Sequence, residues 1–411
     1  MLQILPCRRL GVSLYSSMVE EIGTKTAGAC AGPHNRGSIP MTGASNSASS
    51  NLDAVTCVEI SDPAVMSKQP MVSVRMTTYN HEPYIARAIE GVLMQKTSFP
   101  IELIIGEDCS VDHTRDIVLE YQRRHPDVIR VVLWGKNVGM RANGRKVREL
   151  QRGKYIAWCE GDDYWTHPKK LQMQVDIMEE NPDVGLVYGR RDWFDVRTQR
   201  LVKPRQSKMP ATTGQHNDVF TDMVAERVEH PLTCTVCMRK EILEAVLRDN
   251  AESFRMGFVA GDTLTWLEAS RVTRFEKIDE SVAVHTLQVE SVSRSANMGK
   301  TLRFCKSGYE LYLHLIRKYG CSPELERIVH ERCNRMLLML AYGSRDWEAA
   351  GQCADKLLQI GATLGVRDRL MLLGSRQESI RPVIAAIVAS RPMQAAYRAL
   401  SYALKKQSLW L

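Results

Sequence analysis

The chain has 411 residues, 44% hydrophobic and 25% charged, with a formal net charge of +8. That length holds two or three domains with buried cores. The mild basic excess argues against a nucleic-acid-binding protein, while it suits an acidic small substrate or an anionic membrane surface.

Eleven scattered cysteines without a pairing pattern read as reduced thiols in a cytoplasmic protein. No stretch reaches the roughly 18 apolar residues needed to span a bilayer, and the first residues lack the long apolar core of a secretory signal. Residues 1–68 read as a disordered N-terminal extension, because 42–51 is small, polar and aperiodic. Met66 and Met71 directly precede the first clear strand, so Met66 is the expected translation start.

From Met71 the pattern alternates. Val72–Met76 predicts a strand. Tyr84, Ile85, Ala88, Ile89, Val92 and Leu93 recur at helical spacing. Ile101–Ile105 is the next strand, Asp112 can cap a helix carrying Ile117, Val118 and Tyr121, and Val128–Leu133 is a third strand. A helix near 143–151 follows, then the run Tyr155-Ile-Ala-Trp-Cys-Glu160-Gly161-Asp162-Asp163-Tyr164-Trp165. Leu171, Val175 and Met178 mark a helix, and Val184–Tyr188 a strand. This alternation predicts an α/β fold with a mostly parallel, helix-covered sheet. Residues 190–230 are rich in Arg, Lys and Gln and read as an excursion at the sheet edge. Domain boundaries are expected at 69–298 for the sheet domain and 299–411 for a helical C-terminal region. Cys234 and Cys237 lie in a strand-like run with no second ligand pair nearby, which argues against a zinc or redox site.

The run ending at Asp162 and Asp163 delivers adjacent carboxylates to a strand end. Side-by-side acids repel, and a cation between or near them relieves the repulsion; an N-cap in a solvated loop is the alternative. In open α/β sheets ligands bind at the carboxyl ends of the strands. Those ends are Thr77-Thr78-Tyr79-Asn80-His81, Glu107-Asp108 through Asp112, Asn137-Val-Gly139, and Glu160 through Asp163. Hydroxyl, aromatic and carboxylate groups there suit a base, a ribose and a metal-bound diphosphate.

Over roughly 71–300 the sequence resembles the family-2 glycosyltransferases of GT-A (Rossmann-like) fold. The resemblance rests on these strand-end motifs, on Pro168 and Leu171, on Thr235-Val-Cys-Met-Arg-Lys240, on Gly261-Asp262 before a helix, and on Glu290-Ser-Val-Ser293. It implies that Thr77 and Tyr79 line the nucleotide pocket, that Asp108 bonds the pyrimidine, that Asp162 serves the ribose, and that Asp163 holds a divalent cation, Mg²⁺ or Mn²⁺. It also implies that Asp262 is the catalytic base. Read without the resemblance, Asp262 is an N-cap, Tyr79 packs in the core and Glu160 supports the metal site. Two positions depart from the family pattern. Gly261 stands where another acid usually precedes the base, and His285-Thr286 stands where Tyr-Arg is usual. His285 and Arg294 are therefore candidates for diphosphate or acceptor contacts.

The implied activity is inverting transfer from a nucleotide-diphospho-sugar, a UDP-sugar by preference, to a saccharide or lipid-linked saccharide in cell-envelope polysaccharide synthesis. Residues 389–411 form a basic amphipathic pattern with Trp410 near its end, which predicts peripheral contact with the inner face of the cell membrane or packing on the helical region. Two rivals remain. A non-catalytic sugar-nucleotide-binding protein would carry a degenerate site. A nucleotidyltransferase would need a Gly-rich basic loop after the first strand, where Thr-Thr-Tyr-Asn-His stands instead.

Overall fold

Strands buried on both faces carry apolar runs, and Leu103–Ile105, Val131–Trp134 and Tyr155–Trp158 supply them. In the computed structural model, which describes residues 56–203, 213, 216–289, 295 and 297–389, the strands are β1 (Cys57–Ile60), β2 (Val72–Thr78), β3 (Ile101–Glu107), β4 (Ile129–Trp134), β5 (Tyr155–Trp158), β6 (Tyr164–Trp165), β7 (Val184–Asp195), β8 (Arg200–Val202), β9 (Cys237–Arg239) and β10 (Arg274–Leu287). The helices are α1 (Pro63–Met66), α2 (Ile85–Leu93), α3 (Thr114–Arg124), α4 (Met140–Glu149), α5 (Lys170–Glu180), α6 (His216–Val224), α7 (Lys240–Asp249), α8 (Ala251–Arg255), α9 (Gly261–Ala269), α10 (Met298–Lys318), α11 (Pro323–Ser344), α12 (Trp347–Gln359), α13 (Val366–Arg376) and α14 (Arg381–Ala389).

The sheet order is β1-β4-β3-β2-β5-β9-β7-β10-β6, with β8 paired to β7. Neighbours among β4, β3, β2 and β5 run parallel, as do β7 and β10. β9 runs antiparallel between β5 and β7, and β1 and β6 are antiparallel at the two ends of the order. The expected helix-covered, mostly parallel sheet is therefore present, and it brings the carboxyl ends of β2, β3 and β5 together.

Three sequence expectations change in detail. The extension read as disordered through residue 68 contains β1, whose Glu59 bonds the buried Arg130 at 2.7 Å. A chain starting at Met66 would lack that strand. The edge excursion expected at 190–230 instead begins with the second half of β7, an interior strand paired with β10 as far as Asp195–Leu287. Its arginines tolerate that place because they meet acids: Arg191 pairs with Glu229, and so does Lys277 at 2.8 Å. Finally, the C-terminal helices are not set apart. Leu311, Leu315 and Val329 of α10 and α11 share one apolar cluster with Leu264 and Trp266 of α9 and with Ile156 and Leu186 of the sheet. A second cluster, around Leu338, Leu357 and Ile384, holds α11 to α14. The tail from 390 on, residues 290–293 and Arg294 lie outside the described residues.

Candidate active site

The site is built from strand ends that would otherwise leave polar backbone exposed. Where β2 ends, Thr77 gives both its backbone N–H (3.2 Å) and its hydroxyl to Glu160. Burial pushes the Glu160 carboxyl up, while Arg75 and the Thr77 bonds oppose it. Glu160 thus fixes the β2 end against the acidic turn. Thr77 is 8% exposed with its hydroxyl engaged, whereas Tyr79 is 40% exposed and offers its ring to the surface. Asn80, at φ 54°, sits in the left-handed region and accepts from Val111 N–H at 2.9 Å.

At the β3 end Asp108 is 2% exposed. Its two oxygens accept the backbone N–H groups of Val138 (2.7 Å) and Gly139 (2.9 Å). Burial raises its pKa against those two bonds, with Glu107 beside it adding to the rise. The carboxylate expected to meet a pyrimidine therefore also holds the loop that starts α4. Gly139, at φ +83°, makes the turn into that helix. One turn on, Arg141 Nη2 donates to the carbonyls of Gly257 (2.6 Å) and Phe258 (2.7 Å), in the segment leading to α9.

The acidic turn follows β5. Gly161 is packed so closely that a Cβ there would lie 2.7 Å from Thr78 Oγ1 and 2.8 Å from His81 Nδ1. Asp162 accepts from Gln288 Nε2 at 2.8 Å. Burial raises its pKa, and the neighbouring Asp163 raises it further. Asp163, 5% exposed, accepts from the Thr286 N–H at 2.9 Å and lies 3.0 Å from His285 Nδ1. Burial works against a charged His285, but the Asp163 carboxylate outweighs it and holds the imidazole above its usual pKa. Cys234 Sγ joins this pair: one ligand atom each from Asp163, Cys234 and His285 lie within 4.8 Å of one another. A carboxylate, an imidazole and a thiol at that spacing are a fit donor set for a divalent cation.

Asp262 stands in the first turn of α9 and is exposed. Its oxygens accept from Thr233 Oγ1 (3.1 Å) and from the Thr263 N–H (2.8 Å). The second bond goes to its own chain neighbour and is not a cap: Ala260 holds the N-cap position, without a side-chain cap bond, so the N-cap reading of Asp262 is corrected. A Cβ on Gly261 would meet nothing within 4 Å, so the position that usually carries an acid faces open space. Thr233 and Cys234 are adjacent in a 3-10 turn, Thr233–Thr235. One short turn therefore touches Asp262 with one residue and reaches the Asp163 cluster with the next.

The structure places Thr77, Tyr79, Asp108, Asp162 and Asp163 at the strand ends, and His285 beside Asp163. Arg294 is outside the described residues. Sequence reasoning missed Gln288 and Arg141, and it argued against a metal role for Cys234, which the structure sets beside Asp163 and His285. Nothing local marks these three roles, because the partners stand 51 to 126 positions away.

Residues 73–244 match glycosyl transferase family 2. An uncharacterised protein of Mycobacterium tuberculosis is 42% identical over 117 residues, 28% of this chain and 34% of its own length. The putative teichuronic acid biosynthesis glycosyltransferase TuaG of Bacillus subtilis is 38% identical over 113 residues, 27% of this chain and 43% of its own. The chain thus spans a third to under half of the length of these relatives. Among solved structures, S. aureus TarS 1-349 in complex with UDP-GlcNAc superposes with a TM-score of 0.52 at 18% identity, over 80% of this chain and 91% of that one, a likeness of fold. The segment 73–244, which carries the strand-end motifs, is thus similar to glycosyl transferase family 2.

Proposed function

We propose that this protein is an inverting glycosyltransferase that moves a sugar from a nucleotide-diphospho-sugar, a UDP-sugar by preference, to a hydroxyl of a saccharide or lipid-linked saccharide in cell-envelope polysaccharide synthesis. The observation that carries the reading is the Thr233–Cys234 turn, which brings Asp262 and the Asp163 cluster to one place. The names of the relatives and the nucleotide-sugar complex of TarS support the donor class.

In this reading Thr77, Tyr79 and Asp108 bound the nucleotide pocket and Asp162 meets the ribose. Asp163 and His285 hold a divalent cation, Mg²⁺ or Mn²⁺. When bound, that cation neutralises the charge building on the departing diphosphate. Asp262 takes the proton of the acceptor hydroxyl as its oxygen bonds the anomeric carbon. The bond from that carbon to the diphosphate oxygen breaks on the opposite face, so the configuration inverts.

No described helix is long and apolar enough to cross a membrane. The peripheral contact is assigned to 389–411, which from 390 on lies outside the described residues; the preceding α14 exposes Val383 (61%) and Ile387 (39%). Flotation with anionic liposomes tests that part, and equal recovery with and without 389–411 refutes it.

The reaction itself is tested by thermal shift and nucleotide-diphosphate release against a panel of nucleotide sugars, each with Mn²⁺, Mg²⁺ or chelator. Metal-dependent stabilisation by one donor, with release on adding acceptor, is the expected result. Stabilisation without release under any acceptor would leave a binding protein with a degenerate site. No stabilisation by any donor would overturn the proposal.

A further inference from the structure

The donor set around Asp163 is unusual in one respect. Besides the imidazole it includes a thiol, and the thiol belongs to a wholly buried residue, Cys234, at 0% exposure. The turn that carries it is pinned from two sides. Trp165 Nε1 donates to the Cys234 carbonyl at 2.8 Å, and Gln174 Nε2 donates to the Thr235 carbonyl at 2.8 Å. The other two ligands are oriented as well. Asp163 receives the Thr286 N–H on one oxygen, leaving the other toward His285. The edge of Trp193 packs against the His285 ring, with centroids 5.3 Å apart. Partners of this kind fix metal ligands before the ion arrives.

We infer that Cys234 is a third protein ligand of the cation site, and that Asp163, His285 and Cys234 together select a borderline transition-metal ion of the Co²⁺ and Zn²⁺ class over Mg²⁺. The inference rests on the proposed cation site and names its metal. Metal–ligand bonds of about 2.0–2.3 Å place tetrahedral neighbours roughly 3.3–3.8 Å apart, inside the 4.8 Å within which these three atoms lie. Mg²⁺ demands oxygen ligands in near-ideal octahedral geometry and keeps several waters. Imidazole and sulfur favour later first-row ions. Three protein ligands also leave positions open for substrate oxygens, as catalytic metal sites require. On binding, a sulfur–metal bond forms as the S–H bond breaks, and the proton passes to solvent. The competing assignment is a thiol that only donates a hydrogen bond to Asp163.

The two are separated by titrating Co²⁺ into the full chain and recording its absorption. Sulfur coordination gives a near-ultraviolet charge-transfer band in addition to the visible bands of the bound ion. We expect that band in the wild type and in Cys159→Ser, and its loss in both Cys234→Ser and Cys234→Ala. We also expect Co²⁺ to bind at least about tenfold more tightly than Mg²⁺, with the gap narrowing in Cys234→Ser. Thermal melts of both variants show whether the fold survives, and Cys234→Ser keeps the volume and one polar donor if Cys234→Ala does not fold. Cobalt bound with visible bands but no charge-transfer band, or a band that survives both substitutions, overturns the role of Cys234 and leaves the cation site standing. No binding of Co²⁺, Mn²⁺ or Mg²⁺ even with a nucleoside diphosphate present overturns the site itself.

Discussion

Glu160, Asp162 and Asp163 lie within four positions of one another, yet the structure gives them different tasks. Glu160 is spent on Thr77, Asp162 on Gln288, and Asp163 on Thr286 and His285. Gly161 permits this spacing, because any side chain there would strike Thr78 and His81. Gly161→Ala should therefore cost about 1–3 kcal/mol of stability and weaken cation binding. A denaturation midpoint and a metal titration equal to wild type would disprove the tight fit. Asp262 is exposed and bonds only within its own turn and to Thr233 among the contacts described. Asp262→Asn should lower turnover by about 10²–10⁴-fold and leave donor affinity within about twofold of wild type. Comparable loss in donor affinity would reassign Asp262 to binding. The acids of this site were legible in the sequence because their strand and helix contexts are local. Cys234 was not, since the Cys234–Cys237 pair had no second ligand pair nearby in sequence, and its neighbours Asp163 and His285 come from the turn after β5 and from β10. Asp108 was legible as a site residue, but not as the anchor of Val138 and Gly139, a role that depends on the return of the chain after β4.

At the scale of elements, the α4 start and the α9 start are joined by one side chain. Asp108 holds the loop before α4, and Arg141 then bonds the carbonyls of Gly257 and Phe258. Gly257 adopts φ +77°, and a Cβ there would lie 3.1 Å from Arg141 Nη1. Arg141 thus bridges the loop held by Asp108 and the segment leading to Asp262, and in the proposed reaction it is a positioning residue. Arg141→Ala should lower kcat by about tenfold or more, as small misplacements of reacting groups do, with a smaller change in KM for the donor. Arg141→Lys should recover only part of the loss, since the shorter lysine places its ammonium short of the terminal Nη2 that reaches both carbonyls. Equal kcat in all three proteins would show the link to be structural ornament. Most elements were legible because β2 alternates apolar with polar residues at its start, β3 and β4 carry short apolar runs, and α2 repeats its apolar residues at helical spacing. The second half of β7 was not. Its Arg190, Arg191 and Asp192 look like surface loop until Glu229, Asp279 and β10 are placed beside them.

For the whole molecule, the end of the sheet away from the site is held by a buried ionic cluster. Glu102, at 0% exposure, accepts from Ser73 (2.6 Å), Arg130 (2.9 Å) and Arg152 (2.7 Å). Burial works to raise its pKa, but the bonds from Ser73, Arg152 and Arg130 outweigh burial and hold it below the usual value. A carboxyl held low contributes stability above its unfolded pKa, about 4.3, and loses it as pH falls through the folded value. The melting temperature should therefore drop as pH falls below about 4, and Glu102→Gln should flatten that acid limb. An unchanged acid limb would remove Glu102 from the account. Glu59 of β1 completes the cluster through Arg130, and Arg152 reaches back to the Val65 carbonyl at 3.1 Å. Deleting residues 1–65 should destabilise the protein by about 3–5 kcal/mol, the usual cost of leaving a buried ion half-paired. A midpoint within about 0.5 kcal/mol of the full chain would show that β1 is dispensable.

The consequence of β1 extends past stability. It is antiparallel and four residues long, it lies against β4, and its Val58 is 62% exposed. Without it, the six residues of β4 would become the rim of the sheet, with Val131, Val132 and Leu133 among them and a row of unpaired peptide groups outward. Such a rim is a template for strand addition by another chain. Loss of this short strand would then be felt first as poor solubility and self-association during expression, ahead of any change in the chemistry at the far end of the sheet.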